Sequence, residues 1–330
     1  MKILVIDSHK GTRRTPAQNL HWQNAATIAN HLNADMIWSY KDVNDQIIYG
    51  YDAIVFVHAS HYAYTDYEWL EKSPNAKLFH VSNEYNLGEP RTLWMAAKEG
   101  RHYTVIANHP AAPSKIVGKY VDDWKIVNLN ALCVNEFQSS QGEGCIYYGS
   151  FRKGRSKYFE RHLGNPSVTT STHKKNQDKF QALGIAPSFV GRTNIGAGDL
   201  SRFRTSLYIE DEVTHTHYNH LANRFYESIQ YGCTPLFDAS CENTIESSSY
   251  HVDSRFTAKT HADVTRKTSQ RNAIPAGWIT QAVNEKTHCL DRIKRIVLGD
   301  QYNDNGSTKS FRALPPPTNA KLIQAELQLG

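Results

Sequence analysis

Short apolar runs alternating with helical stretches are the feature that most narrows what this chain can become. Residues 3–6, 53–57, 78–81 and 104–107 are compact apolar runs, the last three spaced roughly 25 residues apart. Between the first two, residues 17–32 carry Leu20, Ala25, Ile28, Ala29 and Leu32 at the three- and four-residue spacing of a buried helix face. Further helices are expected at 67–72 and 92–98. Apolar strands joined through helices form right-handed βαβ units and a parallel sheet.

The pattern restarts after the polar stretch 138–144. Strands are expected at 145–148, 168–170, 188–190, 206–209 and 234–237, and helices at 157–163, 177–183, 221–230 and 278–298. A proline-rich connector, 314–318, precedes a terminal helical stretch at 320–329. The fold class is therefore α/β, with two doubly wound, Rossmann-like halves hinged near residue 140 and a ligand cleft at the carboxyl ends of the strands. A length of 330 residues suits two domains.

Composition excludes several classes. The chain is 40% hydrophobic and 21% charged, which rules out wholesale disorder. No apolar run approaches the ~20 residues of a membrane span. The opening Met1-Lys-Ile-Leu-Val-Ile-Asp7 reads as a first strand and not as a signal peptide. Five widely spaced cysteines without a CxxC pattern argue for reduced thiols in a cytosol. A net charge of +5 permits a polyanionic partner without requiring one.

The first chemical signal is Ile146-Tyr-Tyr-Gly-Ser-Phe-Arg-Lys-Gly-Arg155. A strand runs into Gly149, which lets the backbone approach a ligand. Ser150 follows as a donor, and Arg152 and Arg155 offer guanidinium forks at a helix start. The set suits a diphosphate, although an arginine pair after a strand also reads as ordinary surface charge. The second signal is Asn223-Arg-Phe-Tyr-Glu-Ser-Ile-Gln-Tyr-Gly232, which runs on into the strand at 234–237. Arg224 and Glu227 share a helix face. The carboxylate can accept both ribose hydroxyls of a nucleotide while the arginine holds its phosphates, or the two form a structural pair. The first strand lacks the glycine-rich fingerprint of a dinucleotide-binding dehydrogenase.

Taken together and in order, Tyr148-Gly-Ser-Phe-Arg152 with Arg155, Ala186-Pro-Ser-Phe-Val-Gly191, and Arg224-x-x-Glu227 resemble the DNA β-glucosyltransferases of T-even bacteriophages. The resemblance covers residues 146 to 238 and, more faintly, the first hundred. It implies a GT-B fold and an inverting transfer of a sugar from a UDP-sugar co-substrate to 5-hydroxymethylcytosine, or a related modified pyrimidine, in double-stranded DNA. It implies an acceptor domain at 1–140, a donor domain at 141–305, and a connector with a terminal helix at 306–330. It further implies a monomer acting in the cytoplasm of an infected bacterial host, with no membrane partner.

Carried over by position, Ser150, Arg152 and Arg155 resemble the pyrophosphate binders and Arg224 a further diphosphate contact. Glu227 resembles the ribose-binding carboxylate, and the backbone of Arg192 and Thr193 would face the uracil. Glu84, after the strand Lys77-Leu-Phe-His-Val-Ser82, takes the place of the family's catalytic aspartate. It is one methylene longer, which suits a smaller sugar or a different acceptor hydroxyl, and Asp7 competes for the role. His217 and Tyr218 fall where the family has a polar loop near the donor sugar. Their segment, Thr214-His-Thr-His-Tyr-Asn-His220, contains no carboxylate or cysteine to complete a metal set. The resemblance requires no metal, a divalent ion at most assisting UDP release.

Lys10, Arg13, Arg14, Arg91, Arg101, Lys115 and Lys119 are the candidates for DNA phosphates. Neutralising any of the donor-site arginines is expected to lower turnover more than it unfolds the protein. Three alternatives stay open: transfer of a pentose such as arabinose, a GT-B enzyme with a non-DNA acceptor, and a non-catalytic nucleotide-binding protein.

Overall fold

The apolar runs become the strands of two parallel sheets. The computed structural model describes residues 1–7, 20–37, 50–57, 73–82, 100–108, 121–140, 142–149, 151–163, 168–172, 174–185, 188–191, 197–210 and 221–299. β1 (Ile3–Asp7), β2 (Asp35–Ile37), β3 (Ala53–Val57), β4 (Lys77–Ser82), β5 (Tyr103–Ala107) and β6 (Val121–Ile126) form a six-stranded sheet in the order β2-β1-β3-β4-β5-β6. Every pairing in it is parallel. β3 is buried along its whole length, as a parallel strand covered on both faces must be. α1 (Leu20–Leu32) buries Ala25, Ile28, Ala29 and Leu32, the face read from the sequence.

The second sheet holds β7 (Cys145–Tyr148), β8 (Val168–Thr172), β9 (Ser188–Gly191), β10 (Thr205–Tyr208), β11 (Thr234–Asp238) and β12 (Thr257–Ala258). Its order is β12-β11-β10-β7-β8-β9, again parallel throughout. Its helices are α2 (Ser156–His162), α3 (Lys174–Gln181), α4 (Asn223–Gln230), α5 (Glu242–Glu246), α6 (His261–Ser269) and α7 (Ala276–Leu298). Two aromatic clusters hold the elements that matter below. Tyr147 on β7 meets Phe159 on α2 edge-on, their centroids 5.2 Å apart. Phe225 on α4 is fully buried among Tyr250, Trp278 and Phe237, a burial that stabilises by about 1.5–3 kcal/mol.

Five of these elements were not expected, the short α5 among them. β2 and β6 are edge strands, and Val121-Asp-Asp-Trp-Lys-Ile126 has too much polar, exposed character to read as a core run. β12 is only two residues long. α6 opens on a capping box in which Thr260 and Asp263 hold each other's backbone amides, an aspartate standing where glutamate is usual. The expected helices at 67–72, 92–98 and 320–329 lie outside the described residues.

The chain passes between the sheets over residues 127–144. Leu129–Cys133 is a buried 3-10 turn held by Asn108, whose Oδ1 accepts the Leu129 amide at 2.6 Å. Asn108 also donates to Asn130, which in turn donates to the Leu221 carbonyl just before α4. After α4, Gly232 has φ +71°, and a Cβ there would stand 2.2 Å from the Ser140 nitrogen. Only glycine lets the connecting segment lie against this turn. α7 returns to the first half, where Asp291 meets His31 of α1 at 3.0 Å.

Candidate functional site

In the second sheet, β8 and β9 lie on one side of β7 while β10, β11 and β12 lie on the other. The winding direction reverses between β7 and β10. At such a switch point the flanking connections part and leave a crevice beyond the carboxyl ends of the strands. β7 delivers Gly149 to that crevice, and β10 delivers Ile209 and Glu210.

The side chains that gather there form a charge cluster. Glu210 is 1% exposed and splits its carboxylate between two arginines. Oε2 accepts from Arg155 Nη2 at 2.8 Å, and Oε1 accepts from Arg224 Nη2 at 2.6 Å. Arg155 also donates to the Tyr147 hydroxyl at 3.3 Å. Arg224 lies 5.1 Å over the Tyr208 ring and donates from Nη1 to the Ile209 carbonyl at 3.4 Å. Its Nε is buried with no hydrogen-bond partner. Burial opposes the charge on Arg224. Glu210, aided by Tyr208 and Tyr147 and opposed by Arg155, nonetheless raises its pKa above the ordinary arginine value. Two guanidinium groups face one carboxylate, so the cluster keeps a net positive charge suited to an anion.

Gly149 takes its place for a reason the sequence reading did not give. A Cβ there would stand 2.8 Å from the Tyr147 hydroxyl and 3.0 Å from Arg224 Nη1. The glycine makes room for the protein's own guanidinium beside the β7 turn.

Gly149 and Arg155, at the two ends of the turn after β7, thus come together with Arg224 from α4. Arg152 lies on the same turn, exposed to solvent, immediately before the 3-10 helix Lys153–Arg155. Glu227 is buried one turn along α4 from Arg224. Burial and then the Glu227 charge push the Cys133 thiol and the Tyr231 hydroxyl up, which places this carboxylate beside the segment joining the sheets. Arg101 proves to be structural. It donates to the carbonyls of Ser73 and Ala76 at 3.1 and 2.6 Å, before the amino end of β4 and so away from the carboxyl edge.

Asp7 ends β1 opposite Val57, at the switch point of the first sheet. Glu84, Ser150, Arg192, Thr193, His217, Tyr218, Lys10, Arg13, Arg14, Arg91, Lys115 and Lys119 lie outside the described residues. Glu210 was missed altogether. Its available signal was a carboxylate directly after an apolar strand, Leu207-Tyr-Ile-Glu210, in a sheet already read as doubly wound.

No protein-family model matches the chain, and no curated protein matches its sequence. Solved structures do match. The T4 phage β-glucosyltransferase in complex with UDP and Mn2+ superposes with a TM-score of 0.57 at 16% identity, over 89% of this chain and 95% of that one. The same T4 protein in complex with its UDP-glucose substrate gives 0.56 at 15% identity over the same shares. The two parallel-sheet α/β halves are those of a GT-B fold.

Proposed function

We propose that this chain is a UDP-sugar-dependent glycosyltransferase that modifies a hydroxylated pyrimidine in duplex DNA. One observation carries the reading. Gly149, Arg155 and Arg224 converge at the switch point of the second sheet, in a fold like that of a phage enzyme seen with UDP-glucose.

The chemistry follows from that placement. The diphosphate of the donor lies against Arg155 and Arg224, with Arg152 and Ser150 on the same turn. Glu227 accepts the ribose hydroxyls, and the backbone at Arg192 and Thr193 faces the uracil. As the bond from the anomeric carbon to UDP breaks, negative charge builds on the β-phosphate, and the guanidinium groups stabilise it in place. Glu84 takes the proton of the acceptor hydroxyl as that oxygen attacks from the opposite face, which inverts the centre. The guanidinium groups make a metal dispensable for this step, and a divalent ion has its use in the departure of UDP. A pyrimidine stacked in a duplex cannot present its 5-substituent to a buried donor, so the base is flipped out. Basic residues 10, 13, 14, 91 and 115 then hold the phosphates.

The test is to incubate the protein with a panel of UDP-sugars, UDP-glucose and UDP-arabinose included, and duplexes carrying 5-hydroxymethylcytosine, 5-hydroxycytosine or 5-hydroxymethyluracil. Digestion and nucleoside mass measurement should show one hexose or pentose added. Donor consumption without any DNA product would move the acceptor to another chemical class. No UDP binding at all would end the reading.

A further inference from the structure

We propose that Glu210 is the positioning residue of the donor site, a buried carboxylate that aims the guanidinium groups of Arg155 and Arg224 without itself touching the donor. The inference rests on the donor-site reading above and deepens it. A carboxylate gripping one arginine with both oxygens would leave the other arginine to solvent. Glu210 instead gives one oxygen to each, at 2.8 and 2.6 Å, so a single anchor at the end of β10 sets two planes carried by two other segments. Arg224 is fixed on further sides by the Tyr208 ring and the Ile209 carbonyl. Each Arg224 Nη keeps a second hydrogen beyond these bonds, Nη1 lies against the Gly149 turn, and Nε is buried without a partner. Anchoring by Glu210 thus fixes the direction of the remaining Nη hydrogens before a phosphate arrives, which is the preorganisation that strengthens anion binding.

A rival role makes the opposite prediction. If Glu210 acted only through its charge, it would repel the diphosphate, and removing that charge would tighten UDP. If it acts by aiming, removing it loosens UDP although the site becomes more positive. Because both Glu210 oxygens are occupied inside the protein, the geometry points to aiming.

The experiment measures UDP and uridine binding by calorimetry on the full chain, as wild type, Glu210→Gln and Glu210→Asp. The aspartate keeps the charge but is one methylene short of reaching both arginines. Both variants should weaken UDP tenfold or more and change uridine less than twofold, a ratio that a general loss of structure would not move. Unchanged or tighter UDP binding in either folded variant overturns the proposal. A wild type that binds neither ligand fails the donor-site reading instead. A readout on wild type alone keeps the test decisive should neither variant fold. Before UDP is added, the Nη protons of Arg155 and Arg224 should give separate, slowly exchanging resonances. Rapidly averaged ones overturn the anchoring.

Discussion

Arg155 and Glu210 form a buried ion pair, their side chains 3% and 1% exposed and Nη2 lying 2.8 Å from Oε2. This corrects the expectation that every donor-site arginine can be neutralised with little structural cost. Arg155→Ala leaves part of a buried charge uncompensated and should lose about 3–5 kcal/mol. Arg152 is exposed on the same turn, and Arg152→Ala should stay within about 0.5 kcal/mol of wild type. Its transfer rate should nevertheless fall, roughly a hundredfold if it contacts the leaving diphosphate. Urea unfolding and UDP-sugar turnover on both variants separate the two roles. A wild-type midpoint for Arg155→Ala would show that the pair does not support the fold.

Gly149→Ala tests the crowding at the β7 turn. The added methyl would land 2.8 Å from the Tyr147 hydroxyl and 3.0 Å from Arg224 Nη1. Tyr147 is fully buried and cannot swing clear, so the guanidinium must move. Overpacking of this kind costs about 1–3 kcal/mol. UDP affinity should fall with it, and calorimetry that finds both quantities at wild-type values would mean the contact is not tight.

His80 supplies a pH dependence. It sits in β4 between Phe56 of β3 and Val105 of β5, and neither ring nitrogen has a hydrogen-bond partner. Burial pushes its pKa down to about 3. Below the unfolded value of about 6.5, the unfolded chain takes up a proton that the native state refuses. Stability is therefore complete above about pH 6.5 and declines by about 1.4 kcal/mol per unit as the pH falls toward the folded value. At pH 5 the loss is about 2 kcal/mol. His80→Leu should remove that decline, leaving the variant more stable than wild type at pH 5. Urea midpoints at pH 5 and 7 decide it, and parallel pH profiles for the two proteins would reject it.

The strands that build both sheets were legible because parallel strands buried on two faces must be continuously apolar, and Ala53–Val57 and Cys145–Tyr148 are. The edge strand β6 was not, since solvent on one side lets residues such as Asp122 and Asp123 into it. Gly149, Arg155 and Arg224 were legible as a set because a glycine and arginines bracketing strand ends imply an anion. Glu210 was not, because a lone carboxylate in sequence carries no sign of the two arginines it will meet. That meeting depends on β10 lying beside β7, a crossover of some sixty residues that periodicity does not reveal.

Tyr226 separates holding the donor from bringing the two halves together. Its hydroxyl donates to Glu285 of α7 at 2.5 Å and accepts from Asn128 at 3.0 Å, and Asn128 lies in the segment between the sheets. Tyr226→Phe deletes both bonds. Glu285 keeps Tyr250 and Ser249, while Asn128 retains only a 3.4 Å approach to Glu285, so the loss should be about 1–3 kcal/mol. Arg224, two residues earlier on α4, stays anchored by Glu210, and UDP affinity should therefore change less than about twofold. Transfer requires the acceptor half as well, and a slackened joint there should slow it by about tenfold or more. Calorimetry with UDP beside a transfer assay reads the two effects independently. Wild-type transfer in the folded variant would show that the Asn128–Tyr226–Glu285 bonds do not set the geometry between the halves, whereas a parallel loss of UDP binding would place Tyr226 in the donor site itself.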